Sequence, residues 1–370
     1  MIEHIILYAV TRIILCILTL FKDLRMRKET RDHKHGPPYS TYQESRLEPT
    51  TVNMNDVNRD YYGAAQQSFV AASSYQWTPF MQGLSMSQSS KDMNIVANKL
   101  WSIIQAHKLQ RFYDPPKYQA VLQKLSSINF PDIAVRWNIS RDLAYNLASL
   151  ALYDIVFFCD DSGSMLFEEN GKRIDDLKFI LSKVSDIATL FDDDGISVRF
   201  MNSNVTGDGI RNAGDVQKLI SQVRFSGNTP LGTNFDRKVI QPLILGKARS
   251  NVAMAKPVLA ILITDGEPVG ESSDKIIQVI KEAKNSLEST PYGSGAFAIQ
   301  IGQVGRDVKT QKFLESLDRD PTVGGMIDCT SYYEMEDEEF SRNGIALTPD
   351  LWLLKLCVGA IDPEYDAKDE

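Results

Sequence analysis

From residue 153 onward the chain alternates short apolar runs with longer amphipathic segments, and this alternation restricts the fold more than any other feature. The apolar runs are nearly continuous, which is typical of strands covered on both faces. The segments between them carry apolar residues at helical spacing. Repeated strand–helix units predict an α/β, Rossmann-like domain with a doubly wound, mostly parallel sheet. The predicted strands are Tyr153–Cys159, Ile196–Met201, Val258–Ile263, Ala296–Ile301 and Met326–Cys329.

Amphipathic helices are predicted between these strands, and a turn around residues 206–209 predicts a short edge strand. A last apolar helix is expected to dock on the domain through Leu351, Trp352 and Leu354. The predicted helices are Arg173–Leu190, Val216–Val223, Asn234–Leu245, Ser273–Leu287, Val308–Leu317 and Leu351–Ile361.

Residues 1–28 contain an apolar stretch, residues 5–21, followed by a basic flank. A membrane-spanning helix needs about 20 apolar residues, and the central Arg12 would cost about 2.5–3.5 kcal/mol on insertion. A membrane anchor and a dispensable N-terminus therefore both stand open. If the stretch inserts, the basic flank would stay on the cytoplasmic side. In both cases the sequence predicts a cytoplasmic protein. Association with a membrane through residues 5–21 is left open.

The remaining chain divides by composition. Residues 29–92 are rich in Ser, Gln, Tyr and Asn without a sustained period, which predicts a disordered linker. Residues 93–152 contain several short amphipathic segments and are interpreted as a small helical module, with Ser140 as the N-cap of its fourth helix. Residues 153–333 form the predicted α/β domain, and residues 334–370 are interpreted as the C-terminal helix and an acidic tail.

Charge and residue usage exclude several functional classes. The formal net charge of −8 argues against a nucleic-acid-binding surface, which would normally be basic. All four histidines precede residue 110, so the α/β domain cannot build a Ser-His-Asp triad or a His-ligated zinc site from its own residues. The four cysteines form no Cys-x-x-Cys pair, which favours a reducing compartment and argues against a zinc knuckle.

Three loops rich in oxygen ligands fall at the carboxyl ends of predicted strands or on the same rim. They are residues 160–164 (DDSGS), residues 226–233 (SGNTPLGT) and residues 264–268 (TDGEP). In open α/β sheets, ligands bind at the carboxyl ends of the strands. Hydroxyl and carboxylate oxygens suit Mg²⁺ or Mn²⁺ better than Zn²⁺. The sequence therefore predicts a site for a hard divalent cation at this edge.

The segments DDSGSM, GNTPLGT and ITDGEP, in this order, resemble the metal-ion-dependent adhesion site of von Willebrand factor A (vWA) domains. The resemblance covers residues 153–333. It implies metal coordination by two aspartates, two serines and one threonine, with Thr233 left open as an alternative to Thr229. The implied ligands are Asp160, Ser162, Ser164, Thr229 and Asp265.

The resemblance also implies a function, because in that family an acidic residue of another protein completes the coordination of the cation. The expected activity is metal-dependent protein binding, and the expected partner is a protein that presents an Asp or Glu carboxylate. The carboxylate of Asp161 is expected to face away from the cation and to accept hydrogen bonds from backbone N–H groups of a neighbouring loop. The predicted rim around the cation consists of Asp161, Gly163, Asn228 and Glu267.

Two alternatives remain open at this level. A metal-dependent hydrolase or phosphotransferase would need a base to position water, for which Asp161 and Glu267 are the nearest candidates. Such a site usually requires more carboxylates or a histidine, so the sequence predicts a protein that is not an enzyme. In the other alternative, the helical module 93–152 binds the partner and the α/β domain only displays it.

Overall fold

A six-stranded β-sheet organises the part of the chain that the computed structural model describes, which is residues 88–250, 254–333 and 347–362. The spatial order of the strands is β3-β2-β1-β4-β5-β6, and all neighbours are parallel except the antiparallel pair β2–β3. The strands are β1 (Asp154–Cys159), β2 (Ile196–Phe200), β3 (Thr206–Ile210), β4 (Val258–Thr264), β5 (Phe297–Gln303) and β6 (Ile327–Thr330).

The predicted α/β fold with a mostly parallel sheet is confirmed. Every residue of β4 and β5 is buried, as expected for central strands with helices on both faces. The strand ends differ from the predictions by one or two residues. The β4–β5 ladder, for example, continues to the pair Thr264 and Gln303, because backbone pairing extends past the last apolar side chain.

The edge strand β3 is short and irregular. Its pairing with β2 shifts in register between Ile196 and Val198. Arg199 on β2 forms an ion pair with Asp208 on β3, with an Nη2–Oδ1 distance of 2.9 Å. Added side-chain atoms at Gly207 would lie 2.7 Å from Leu219, so a glycine is needed for the following helix to approach this strand.

The helices lie between the strands close to where the periodicity predicts them. The helix Ala213–Ile220 is capped by Asn212, whose side chain accepts hydrogen bonds from two backbone N–H groups. The predicted helix Asn234–Leu245 instead starts at Leu231 and continues with π-helical geometry over Asp236–Leu245. From residue 163 onward the α-helices of the described residues are α5 (Gly163–Phe167), α6 (Lys172–Phe191), α7 (Ala213–Ile220), α8 (Leu231–Phe235), α9 (Gly246–Arg249), α10 (Lys275–Glu288), α11 (Val308–Asp318) and α12 (Pro349–Val358).

Within the described residues, four α-helices precede the sheet and share its hydrophobic core. The first begins at Gln88, inside the segment predicted as a linker, and buries Val96 and Leu100 while Ile95 stays exposed. The fourth is capped by Ser140, whose hydroxyl accepts from the N–H of Leu143 at 3.2 Å, as predicted. These helices are α1 (Gln88–Ala106), α2 (Pro115–Leu125), α3 (Phe130–Arg136) and α4 (Arg141–Asn146), followed by a 3₁₀ segment over Leu147–Leu152.

The C-terminal helix α12 docks on the domain as predicted, with Trp352, Leu353 and Leu354 buried. The candidate anchor 5–21, the rest of the predicted linker before residue 88 and the acidic terminus after residue 362 lie outside the described residues. Among the helices that the structure does describe, none has the length and apolar character needed to cross a membrane.

Candidate metal centre

The candidate site lies where the direction of the strand order reverses. After β1 the chain adds β2 and β3 on one side, and it then returns to place β4 on the other side of β1. Strands β1 and β4 are therefore adjacent, with Cys159 paired to Ile263. Asp160 and Asp265 follow the carboxyl ends of these two strands. Such a switch point is where open α/β sheets form their ligand-binding crevice.

We call the five predicted ligands, Asp160, Ser162, Ser164, Thr229 and Asp265, the switch-point cluster. Four of them are joined by hydrogen bonds. The hydroxyl of Ser164 donates to Oδ1 of Asp265 at 3.0 Å, and the hydroxyls of Ser162 and Ser164 are 3.0 Å apart. Oδ1 of Asp160 accepts from the N–H of Ser162 at 2.8 Å. The two sequence-distant loops thus bring hydroxyl and carboxylate oxygens to one place.

The loop that carries Thr229 is held against the other two by backbone hydrogen bonds. The N–H of Gly163 donates to the carbonyl of Gly227 at 3.1 Å, and the N–H of Val269 donates to the carbonyl of Thr229 at 3.0 Å. Gly227 has a φ of +102°, which favours glycine at this close approach. The chain thus places Thr229 between the Asp160 and Asp265 loops.

The choice between the two threonines is informed by their burial. Thr229 is only 4% exposed, whereas Thr233 is exposed on the first turns of α8. The N–H of Thr233 and that of Gly232 donate to the carboxylate of Glu271, at 3.0 and 2.6 Å. Glu271 therefore caps the helix that begins at Leu231, and Thr233 belongs to that cap.

Asp161 does not lie on an exposed rim. Its side chain is fully buried, and its two carboxylate oxygens accept from the N–H groups of Asn202 and Ser203 at 2.6 and 2.7 Å. Burial raises the pKa of Asp161, and these two donors oppose that shift. The carboxylate ties the Asp160 loop to the end of β2, as the sequence suggested for its orientation. The rim assignment of Asp161 is wrong, because a buried carboxylate cannot contact a partner.

The other rim residues are accessible. Asn228 and Glu267 are exposed, and Gly163 is half-buried beside the carbonyl of Gly227. The side-chain amide of Asn202 donates to the carbonyl of Asn228 at 2.9 Å, which fixes the loop in front of Thr229. These three residues lie on the loops that carry the switch-point cluster, whose members are buried except for the half-buried Ser164.

The surroundings of Asp160 disfavour the negative charge of its carboxylate. Its side chain is fully buried, and burial together with the nearby Asp265 raises its pKa to about 7. Hydrogen bonds from Ser162 and from the hydroxyl of Thr264, the latter at 2.8 Å, oppose this shift without cancelling it. A divalent cation would favour the ionised form of such a carboxylate.

Sequence reasoning missed one residue of this site. The guanidinium of Arg173 donates from Nη1 to Oδ2 of Asp265 at 2.6 Å. Burial opposes its charged form, but the hydrogen bond to Asp265 and the nearby carboxylates raise the pKa of Arg173 above its usual value. The only available signal was its position in the first turn of α6, which follows the Asp160 loop, the short helix α5 and the turn over residues 168–171.

Histidine chemistry is remote from the cluster. His107 is the one histidine within the described ranges, and its carbonyl contacts Gly295 at the amino-terminal end of β5. The switch-point cluster lies at the opposite, carboxyl end of the strands. The residues that the structure describes therefore place no imidazole beside it.

The donor set fits a hard cation and not a carboxylate-rich or thiolate site. Within the described residues, no group of three or more His, Cys, Asp or Glu side chains is arranged to hold a metal ion. The switch-point cluster has only two carboxylates, and its other candidate ligands are hydroxyls. All-oxygen ligation of this kind suits Mg²⁺, which usually takes few protein carboxylates and keeps several waters.

Comparison with known proteins gives no assignment. No protein-family model matches the chain, and no curated protein matches it.

Proposed function

We propose that this chain is a Mg²⁺-dependent protein-binding module of the vWA type, in which the switch-point cluster holds the cation and an acidic residue of a partner protein completes its coordination. The observation that carries the proposal is the contact between the first and third loops. Ser164 donates to Asp265 across the β1–β4 switch point, beside the buried and electrostatically unbalanced Asp160.

The assignment of roles follows from the side chains. Asp160 and Asp265 would supply the negative charge, and Ser162, Ser164 and Thr229 would supply neutral hydroxyl oxygens. When bound, the cation would supply a positive charge that attracts an external carboxylate. With few protein carboxylates around it, that charge would be incompletely neutralised by the chain itself.

A binding function is favoured over catalysis by what surrounds the cluster. A hydrolase needs a base within reach of an attacking water. Asp161 is committed to the N–H groups of Asn202 and Ser203, which leaves the exposed Glu267 as the nearest sequence candidate. The exposed Asn228 and Glu267 lie on the loops that carry Thr229 and Asp265, where a partner protein could contact them.

The first test measures the cation itself. Isothermal titration of the full chain with MgCl₂ should give one saturable event and a rise in Tm, and Asp160→Ala and Ser162→Ala should each abolish both. Thr233→Ala is the matched control and should bind like wild type. Saturable binding that survives both cluster substitutions would place the cation elsewhere and end the proposal.

The second test concerns the partner. Affinity capture with the wild-type chain, Asp160→Ala and Thr233→Ala should be compared in Mg²⁺ and in EDTA. Partners that bind through the switch-point cluster should be lost in EDTA for every variant. In Mg²⁺ they should be lost with Asp160→Ala and retained with Thr233→Ala. For each such partner, neutralising its acidic residues one at a time should identify a single Asp or Glu that is required. Binding that persists in EDTA and with Asp160→Ala, but is lost when exposed residues of the segment 93–152 such as Val135 are replaced, would instead assign the interaction to the helical segment.

A further inference from the structure

Arg173 is enclosed by three carboxylates directly beside the switch-point cluster. Its side chain is 5% exposed and contacts Asp265 at 2.6 Å, Glu168 at 2.7 Å and Glu169 at 3.2 Å. Asp265 is the only one of the three that belongs to the cluster, and it is fully buried. One predicted ligand of the cation therefore already has a positively charged partner from the chain.

The guanidinium of Arg173 packs closely against the backbone at Gly305. Gly305 has a φ of +77°, and an added Cβ at this position would lie 2.4 Å from Nε of Arg173. The guanidinium thus rests against a backbone that has room for it only because residue 305 is a glycine. The carbonyl of Gly305 is itself held by the side-chain amide of Gln303 at 3.2 Å.

The turn that supplies the two glutamates is strained. Glu169 and Asn170 have φ values of +50° and +54°, and Gly171 follows with +79°. Left-handed conformations of residues other than glycine are uncommon and are kept where the surrounding contacts enforce them. Here the turn carries Glu168 and Glu169 back over the guanidinium, and Oε1 of Glu169 also accepts from the N–H of Arg306 at 3.3 Å.

The position of Arg173 in its helix is also unfavourable by itself. It is the second residue of α6, and the N-cap Gly171 provides no side-chain hydrogen bond. A cation in the first turn of a helix is repelled by the helix dipole. The contacts with Asp265, Glu168 and Glu169 outweigh this local preference. Residues that break a local rule in this way often serve a site.

We propose that Arg173 is a resident cation of the switch-point cluster, a positioning residue that neutralises Asp265 and thereby sets the affinity of the cluster for Mg²⁺. The inference rests on the proposed function and deepens it. The charge of Arg173 stabilises the carboxylates without metal and opposes the entry of a second cation. It also leaves more of the charge of a bound cation unneutralised, which strengthens the attraction for a partner's carboxylate.

The test compares two adjacent residues that carry the same charge. Arg173→Gln removes the resident cation, whereas Lys172→Gln removes a lysine whose Nζ donates to the hydroxyl of Tyr332 at 2.5 Å and not to Asp265. Arg173→Met provides a second neutral variant that fills the buried volume, and Arg173→Lys keeps the charge. Mg²⁺ affinity is measured by calorimetry on the full chain, and Tm is measured in EDTA and in Mg²⁺.

We expect Arg173→Gln and Arg173→Met to bind Mg²⁺ about tenfold more tightly than wild type, because a nearby like charge has been removed. Their Tm should fall in EDTA and recover with Mg²⁺, so that the metal-induced rise exceeds that of wild type. Lys172→Gln and Arg173→Lys should stay within about threefold of wild-type affinity. A purely structural role of Arg173 predicts weaker binding in the neutral variants, which is the opposite sign.

Equal or weaker Mg²⁺ binding by whichever neutral variant folds, with wild type binding normally, would overturn this inference and leave the proposed function intact. Absence of binding in wild type and in all variants would end the proposed function together with the inference. Binding by the neutral variants alone would support the inference, because Arg173 would then take the place of the cation, and it would end the proposed function.

Discussion

The sheet contains two buried clusters of polar residues. They differ in the number of carboxylates that they bring together. One is the switch-point cluster between β1 and β4. The other, which we call the Gln300 cluster, consists of Gln300 on β5, Asp328 and Thr330 on β6, and the N–H of Ala360. In it the amide of Gln300 donates to Asp328 and Thr330, and its carbonyl accepts from Ala360 at 2.9 Å.

The difference separates a structural cluster from the one for which we propose metal binding. The Gln300 cluster joins the end of the chain to the sheet through hydrogen bonds among one carboxylate, one hydroxyl and amide groups. Buried hydrogen-bond networks of this kind make a packing arrangement specific. The switch-point cluster instead brings two carboxylates together beside hydroxyls, and it raises the pKa of Asp160 to about 7. We therefore expect an added cation to stabilise only the switch-point cluster.

The largest expected effect comes from the same substitution made in each cluster. Asp160→Asn should abolish the Mg²⁺-induced rise in Tm without lowering the Tm measured in EDTA, because it removes a buried charge. Asp328→Asn should lower Tm with and without Mg²⁺ by a similar amount and keep the metal-induced rise. Differential scanning fluorimetry in EDTA and in MgCl₂ measures both. If Asp328→Asn also removed the metal response, the two clusters would not be separable.

Packing around the Gln300 cluster should be sensitive to one methyl group. A Cβ at position 359 would lie 2.1 Å from Oδ2 of Asp328, so Gly359→Ala forces the C-terminal segment away from the sheet. We expect a loss of about 1–3 kcal/mol in the free energy of unfolding, typical of overpacking. Gly325→Ala is the control, since nothing lies within 4 Å of the added atom. Urea denaturation measures both, and equal stabilities would contradict the predicted clash.

A smaller effect separates Thr229 from Thr233. Thr229→Val keeps the shape of the side chain and removes its hydroxyl, so the affinity for Mg²⁺ should fall about five- to tenfold, the scale of about 1–1.5 kcal/mol for one polar contact. Thr233→Val should leave the affinity unchanged, because only its backbone N–H is used, by Glu271. Calorimetric titration with MgCl₂ measures both affinities. If Thr233→Val lowered the affinity and Thr229→Val did not, Thr233 would be the ligand.

The last prediction concerns the dependence of stability on pH. Because the pKa of Asp160 is about 7 in the folded chain and about 4 in an unfolded one, this group binds a proton only when folded between those values. Its contribution to stability is therefore present at low pH and is lost as the pH rises through about 7. In EDTA, wild type should lose stability relative to Asp160→Asn between pH 5 and pH 8. Parallel stability profiles for the two proteins would contradict this assignment.

The sequence predicted the sheet and the loops at its edge because both depend on local patterns. Continuous apolar runs mark β1, β4 and β5, and parallel strands necessarily bring Asp160 and Asp265 to the same edge. The sheet and its edge loops follow from the apolar runs and from strand direction. The orientation of Asp161 was instead implied by the resemblance to vWA domains, and in the structure its carboxylate accepts hydrogen bonds from Asn202 and Ser203.

Features that depend on long-range contacts could not be predicted in this way. Periodicity identifies Arg173 only as the start of a helix, and its partner Asp265 is 92 residues away in sequence. The burial of Thr229 and the exposure of Thr233 depend on where Glu271 caps a helix. The Gln300 cluster was also missed. A single glutamine within an apolar strand gives no indication that its side-chain carbonyl will accept a hydrogen bond from the backbone N–H of Ala360.

The separation in sequence between the first and third loops affects the order of events during synthesis. Ser164 and Asp265 are 101 residues apart, and β4 must be inserted beside β1 before their hydrogen bond can form. At about 5–20 residues per second, a ribosome needs roughly 5–20 s to add the missing segment. During that interval the first loop is present without its counterpart. The switch-point cluster can therefore be completed only after β4 and Asp265 have been synthesised.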